Sequence, residues 1–311
     1  MKPDRLEFVL DEAGQRLDLA ILHHLGDRLS RSQLQMLIRD GAVQVDGRQR
    51  KAGERLKGGE QIVLHLPSPD DTPGVLPEPV PLQVIHEDEW LAVIDKPAGM
   101  VVHPGDRNER GTLVAAALSH WPALADMPGE PKRAGVVHRL DKDTSGLILL
   151  ALQDSARRNL MRQFQDRLVA KRYLALLERC PPACQAVIDA PVGRDPRRRQ
   201  RMAVVARGKS AISEYRVLER DLPGGRALVE VRPRTGRTHQ IRVHMAYIDC
   251  PIVADSVYGL RKQGLPLARQ FLHAAGLTFT HPALHEELSF QSPLPTELRS
   301  LLNALRKSRS G

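Results

Sequence analysis

The chain has 311 residues, 41% hydrophobic and 27% charged, which suits two soluble domains. No apolar run approaches the roughly 20 residues a bilayer span needs, and residues 1–10 lack the apolar core of a secretion signal, so a cytoplasmic protein without a membrane partner is expected. Cys180, Cys184 and Cys250 supply neither a disulfide framework nor paired zinc ligands, so no metal is expected, and the net charge of +9 favours a nucleic acid as partner.

In chain order, the first elements predicted are two short helices and a small sheet. Leu17, Leu19, Ile21, Leu22 and Leu25 offer an apolar helical face. Ser30-Arg31-Ser32-Gln33 has the form of a capping box, Leu34, Leu37 and Ile38 continue at helical spacing, and Gly41 is placed to end that helix in a left-handed turn. Val43 to Val45 reads as a strand entering an Asp46-Gly47 hairpin turn, and Gly58-Gly59 precedes an alternating strand with Ile62, Leu64 and Leu66. Over residues 1–66 basic and acidic residues nearly balance, so an RNA face here must come from local clusters such as Arg28, Arg31 and Arg39. Pro67, Pro69, Pro73, Pro77, Pro79 and Pro81 then mark a semi-extended linker. The resulting division is a module over 12–66, a linker over 67–81, a larger domain over 82–302 and a short basic, disordered tail over 303–311.

The larger domain opens with the strand-like Leu91 to Ile94 and a Pro/Gly-stiffened loop holding Lys96 and His103, either of which could meet a substrate phosphate or base. The densest polar cluster is His138-Arg139-Leu140-Asp141-Lys142-Asp143-Thr144-Ser145-Gly146, ahead of an apolar run, Leu147 to Ala151, suited to a buried strand. A polar loop leading into a core strand is a rigid mount for reactive groups. Asp141 lies between the cations Arg139 and Lys142, a setting that suits a nucleophilic carboxylate, although the residues alone leave a salt-bridged turn equally open. A metal site at His138, Asp141 and Asp143 lacks further ligands, and Ser145 lacks the Gly-x-Ser-x-Gly elbow of a serine hydrolase. A two-carboxylate glycosidase would share attack at an anomeric carbon, but the basic, aromatic-poor composition fits sugar polymers badly.

An amphipathic helix is predicted from Asp154 to Leu168, with Ala156, Leu160, Phe164 and Leu168 on one face. In the strand-like Lys171-Arg172-Tyr173-Leu174-Ala175 that follows, Tyr173 is a candidate platform for a flipped base, with core packing the open alternative. Between Val192 and Lys209 seven basic residues meet one acid, Asp195, and Arg232, Arg234, Arg237 and Arg242 extend the excess, a pattern that suits phosphates. Thr235-Gly236-Arg237-Thr238-His239-Gln240-Ile241-Arg242-Val243-His244 is dense in donors. Read as a strand, it sets Gln240, Arg242 and His244 on one face, from which Arg242 could pair with Asp141.

The segment from Arg16-Leu17-Asp18 to Gly58-Gly59-Glu60 resembles the alpha-L RNA-binding module. The motifs around Asp141, Tyr173 and Arg242, with Val257-Tyr258-Gly259, resemble the RluA family of pseudouridine synthases over about 120 residues, in the family's order. The attached module and Val101-Val102-His103-Pro104-Gly105 are most similar to the subgroup typified by the large-subunit rRNA pseudouridine synthase D. The resemblance implies an α+β fold, a mixed and largely antiparallel sheet flanked by helices. It implies isomerisation of uridine to pseudouridine in large-subunit (23S) ribosomal RNA or its precursor, by a monomer without a cofactor. The catalytic positions implied are Asp141, Tyr173 and Arg242; the substrate-binding positions expected are Arg139, Leu272, Lys96, His103, Arg237, His239 and Gln240. Ala254 and Glu178-Arg179 depart from a common Gly, which bears on loop shape. A non-catalytic RNA-binding or ribosome-assembly protein is the alternative.

Overall fold

Asp18 has no solvent exposure, and the first unit is arranged around it. An isolated carboxylate in such a place is costly unless its lone pairs are filled. Arg16 donates to both its oxygens at 2.9 and 3.0 Å, Gln35 donates at 2.9 Å, and Arg31 at 3.2 and 3.3 Å. Burial alone would raise its pKa; the hydrogen bonds from Arg16, Gln35 and Arg31 outweigh that and hold it at about 2. The cluster thereby bolts α1 (Leu17–Leu25) to α2 (Arg31–Arg39).

The computed structural model describes residues 4–10, 13–26, 31–66, 75–105, 110–128, 133–198, 201–260 and 264–309. The chain divides into two units, Met1–Gly74 and Val75–Gly311. In the first, β1 (Asp4–Leu10), β2 (Val43–Val45) and β3 (Glu60–Leu66) form an antiparallel sheet in the order β1-β3-β2. Leu17, Ile21, Leu25, Leu34, Leu37, Ile38, Ile62 and Leu64 share one core, whereas Leu19 is 44% exposed. Asp46 and Gly47 both take positive φ, and Val45 and Arg48 exchange two backbone hydrogen bonds across them, which is the hairpin turn expected from Asp-Gly. β1 lies ahead of the expected module start at residue 12. Arg28, Ser30 and the side chains of Ser32 and Gln33 lie outside the described residues, so the capping box does too.

The second unit is built on a nine-stranded sheet. Its strands are β4 (Gln83–Glu87), β5 (Leu91–Lys96), β6 (Ser145–Ala151), β7 (Ala170–Leu177), β8 (Gln185–Asp189), then, after the hairpin described below, β11 (Ile212–Leu222), β12 (Arg226–Pro233), β13 (Leu272–Thr280) and β14 (Glu287–Gln291). The hairpin, β9 (Val192–Arg194) and β10 (Met202–Val204), stands apart as its own two-stranded sheet. The large sheet runs β4-β5-β6-β13-β7-β12-β11-β8, with β14 also on β13; only β6 and β13 pair in parallel. Every residue of β6 is buried, with Ile148 and Leu150 in the same core as residues of α3 (Leu113–His120) and α6 (Thr296–Arg309), and Leu147 and Leu149 in a second core with α4 (Asp154–Gln165). The α+β class and the largely antiparallel sheet are as expected.

Four expectations need correction. The segment after β12 is not a strand: His239 takes a left-handed φ of 56° and opens α5 (Gln240–Tyr247). Turned by a helix rather than alternated by a strand, Gln240 and His244 both reach Ser213, while Arg242 points elsewhere. The α4 helix stops at Gln165, and Leu168 is 66% exposed. The expected tail is helical as far as Arg309, because Leu298, Leu301, Leu302 and Leu305 form a buried stripe at helical spacing in α6. Finally, Val75 and Val80 of the expected linker pack on the core of the second unit, and the linker residues 67–74 lie outside the described residues.

Gly146 fixes the approach of β6 to β13. Its φ is 112°, and a Cβ there would lie 2.3 Å from the Ala274 carbonyl oxygen. We expect Gly146→Ala to cost about 3 kcal/mol or more, from overpacking added to backbone strain; urea unfolding of the two proteins measures it.

Candidate active site

A single turn carries Asp141. The Thr144 amide donates to the Asp141 carbonyl at 3.1 Å, and the Gly99 amide donates to the Lys142 carbonyl at 2.9 Å. The Lys96 ammonium, with no solvent exposure, donates to the carbonyls of Pro97, Met100 and Lys142 at 2.7, 2.9 and 3.1 Å. Burial lowers its pKa to about 8. Arg269 donates to the carbonyls of Asp143 and Leu272 at 3.1 and 3.4 Å, to Ser145 Oγ at 3.1 Å, and to Glu297 of α6 at 2.7 Å. The backbone under Asp141 is thus held from β5, β13 and α6 at once, as a reacting group needs.

Opposite this turn, α5 delivers Arg242. Its Nη1 donates to Asp141 Oδ2 at 3.0 Å, while Nε and Nη2 form a two-point pair with Asp255 at 2.7 and 2.8 Å. Arg242 is 5% exposed and Asp255 1%. Burial opposes a charged guanidinium, but hydrogen bonding and charge from Asp255, then Asp141, more than offset it, so the Arg242 pKa is raised. Asp255 is conversely held below the usual carboxylate range, burial being outweighed by Arg242 and by the amides of Tyr258 and Val257. Ala254, just before it, takes a φ of 58°, a conformation glycine adopts most readily, which accounts for the glycine common at this place in the resembled motif.

A cleft of about 320 Å³ opens above the Asp141–Arg242 pair. Tyr173 and Leu272 form part of its wall from one face of the sheet: Tyr173 pairs with Ala274 and Ala175 with Leu272 across neighbouring antiparallel strands. Tyr173 is 9% exposed, and burial followed by the Asp141 charge raises its pKa, so it is a neutral ring. Arg139 lies exposed at the cleft, and Arg237 and His239 line it from the loop before α5. His239 Nε2 is 3.9 Å from Asp141 Oδ1; burial lowers its pKa, with Asp141 acting in the opposite direction.

Three expected substrate contacts are placed differently. Lys96 is buried under the loop rather than facing the cleft, its three donors spent on carbonyls. His103 is half-buried and is not among the residues lining the cleft. Gln240, although beside the cleft, uses its oxygen on Thr235 Oγ1 and the Arg237 amide and its nitrogen on Ile212 and Ser213, so it clamps the loop to β11. The arginines at the end of β12 are likewise answered by acids: Arg232 pairs with Glu230 of the same strand at 2.9 Å, and Arg234, just after the strand, pairs with Glu214 of β11. Asp255 and Arg269 were not singled out from the sequence; the acid three residues before Tyr258-Gly259 was the available signal for the first.

An ionised carboxylate held by an arginine at the foot of an aromatic-walled cleft can attack an electrophilic carbon or take a proton, without a metal. Comparison with known proteins narrows this chemistry. Residues 90–247 match the family model described as RNA pseudouridylate synthase, and residues 15–62 match that of the S4 domain. The chain belongs to the RNA pseudouridylate synthase family. It is 47% identical to an uncharacterized RNA pseudouridine synthase of Chloroflexus aurantiacus, over 96% of this chain and 92% of that protein. It is 43% identical to the ribosomal large subunit pseudouridine synthase D of Nitrosomonas europaea, over 94% and 85% respectively. The solved structure of human RNA pseudouridylate synthase domain containing 4 superposes with a TM-score of 0.56 at 28% identity, covering 72% of this chain and 93% of the human one.

Two consequences of this geometry can be measured. In Asp255→Ala, Arg242 keeps Asp141 but loses its buried partner, and stability should fall by about 3–5 kcal/mol in urea unfolding. His138 supplies the second. Its Nε2 accepts the Leu149 amide at 2.9 Å while the ring stacks on Phe164, and burial, aided by Lys171, lowers its pKa to about 3. The unfolded chain binds this proton near pH 6.5 and the folded one does not, so stability is full above that value and lost as pH falls from 6.5 towards 3. At pH 5.5 the loss should be roughly 1.4 kcal/mol, and the urea midpoint of His138→Asn should fall less steeply over the same range.

Proposed function

We propose that the chain isomerises uridine in large-subunit ribosomal RNA, with Asp141 as the reacting group. The supporting observation is the split use of the Asp141 carboxylate. Oδ2 is held by Arg242, while Oδ1 accepts no hydrogen bond from the described residues and has His239, which like Asp141 lines the cleft, 3.9 Å away. One oxygen fixes the group and the other is left for the sugar.

The target base must leave its stack, at a cost on the order of a few kcal/mol. Tyr173 would offset part of this by stacking on the extruded uracil, and Leu272 by apolar contact at its edge. Asp141 Oδ1 then acts at the sugar, as nucleophile at C1′ or as base on the 2′ proton; in either route the N1–C1′ bond breaks, the uracil turns, and C5 bonds to C1′. A proton leaves C5, one is gained at N1, and Asp141 is regenerated. Nothing is oxidised and no group is imported, so the bonds balance without a cofactor. Arg242 would keep the carboxylate oriented throughout, and Asp255 would keep Arg242 so. Arg139 and Arg237, at the cleft, would take phosphates of the flipped nucleotide and its neighbours.

The ribosomal target rests on the large-subunit synthase relatives, together with the N-terminal S4 domain as a second RNA grip. Arg194, Arg197 and Arg198 of the β9–β10 hairpin, and Arg207 in the turn after β10, are exposed, a cationic edge suited to an RNA backbone; Arg199 lies outside the described residues. Such an enzyme would work as a monomer in the cytoplasm, where ribosomes are built.

With rRNA tritiated at uridine C5, Asp141→Asn and Asp141→Ala should release no tritium while binding RNA with near-normal affinity. Release close to that of the wild type would overturn the assignment of Asp141. Growth and ribosome assembly intact in an Asp141→Ala strain that releases no tritium, but impaired when the whole protein is deleted, would point to a non-catalytic role in assembly; equal impairment in both strains would confine the role to catalysis.

A further inference from the structure

The side chain of Tyr258, in the motif Val257-Tyr258-Gly259, has no part in the chemistry above, yet it meets both Arg242 and His239 beside Asp141. The Tyr258 amide, with that of Val257, donates to Asp255 Oδ1 at 2.9 Å. A Cβ on Gly259 would lie 2.4 Å from the Asp255 carbonyl oxygen, so this tight turn requires glycine. The Tyr258 ring lies 5.1 Å from the Arg242 guanidinium and 5.5 Å from that of Arg201. Its hydroxyl accepts the Met202 amide at 2.9 Å and shares a 2.9 Å hydrogen bond with His239 Nδ1, whose other nitrogen faces Asp141.

Arg201 and Met202 belong to the arginine-bearing hairpin. The underside of that hairpin, Val192, Met202 and Val204, packs with Val243 of α5 and with Tyr258. A phenol hydroxyl has one proton and two lone pairs, so the Met202 amide and the His239 ring nearly exhaust it. Movement of β10 must therefore be followed by His239 or break one of the two bonds. We infer that Tyr258 is a positioning residue that ties the basic β9–β10 hairpin to Arg242 and His239, so that RNA seated on the hairpin aligns the carboxylate of Asp141. This rests on the proposed roles of Asp141 and of the hairpin arginines.

Tyr258→Phe keeps the ring and removes only the hydroxyl. In tritium release from C5-labelled rRNA it should lower kcat about tenfold to a hundredfold, the usual penalty of a slightly misplaced reacting group, with KM changed less than about twofold. The paired hairpin variant Arg197→Ala/Arg198→Ala should raise KM, reduce its dependence on salt, and also lower kcat. In the Tyr258→Phe background the same pair should affect KM alone, because the link is already cut. A wild-type kcat in Tyr258→Phe, or kcat losses that multiply in the combined variant, would overturn the inference. If Tyr258→Phe does not fold by thermal melting, Arg201→Gln, which leaves Tyr258 intact and removes the cation from its ring, should give the kcat loss instead; an unchanged kcat there sinks the coupling. Asp141→Ala assayed in parallel separates the two claims. Activity in that variant removes the reading of the centre, whereas an inactive Asp141→Ala beside a normal Tyr258→Phe removes only the role of Tyr258.

Discussion

The structure depends most on one arginine that serves two acids. Arg242 sits 5% exposed between Asp255, to which it gives two hydrogen bonds, and Asp141, to which it gives one. A buried guanidinium is costly unless its donors are filled, and Asp255 alone could neutralise it. The second acid is then not needed for charge balance, which is what leaves Asp141 fixed at one oxygen and open at the other. Asp255 in turn is kept charged in burial by Arg242 and by the amides of Val257 and Tyr258 in the turn beyond it. The order of dependence therefore runs from a glycine-requiring turn to a buried acid, to an arginine, to the carboxylate at the cleft.

Much of this could be read from the residues, but in pieces of unequal quality. The apolar run after Gly146 announced a buried strand, and β6 is one, because seven successive buried residues leave no other element to form in a sheet covered on both faces. Asp141, Tyr173 and Leu272 were placed together by resemblance, and the β7–β13 register brings the last two side by side. The segment from Thr235 to His244 was misread because its donors alternate over a few residues as they would in a strand. What decides for a helix is non-local: Ser213 of β11 receives both Gln240 and His244, and strand geometry could not bring both there while sending Arg242 the other way. A lysine in a Pro/Gly loop suits a substrate contact as well as a structural one, and only the fold reveals three carbonyls converging on the Lys96 ammonium.

The tail over 303–311 failed for a different reason. Its composition is dominated by charge, and Leu305 within it is the last member of a stripe that begins at Leu298. Burial of that stripe outweighs the polar composition of the end, and Arg306 reaches back to Glu219 of β11 at 2.9 Å. Composition describes the exposed face of an amphipathic helix well and its buried face badly.

Rigidity in this enzyme is concentrated where the chemistry is. The Asp141 turn is held by Lys96, Arg269 and Gln270 from three directions, and none of these is exposed enough to compete for RNA. The groups left open, Arg139, Arg237 and the hairpin arginines, are long and cationic, suited to a partner whose backbone is uniform in charge and variable in path. On the proposed roles, affinity and reaction would be supplied by different side chains, and a link such as Tyr258 would let the first inform the second. Without one, tight binding of the wrong stem would align the carboxylate as well as binding of the right one, and selectivity would rest on affinity alone.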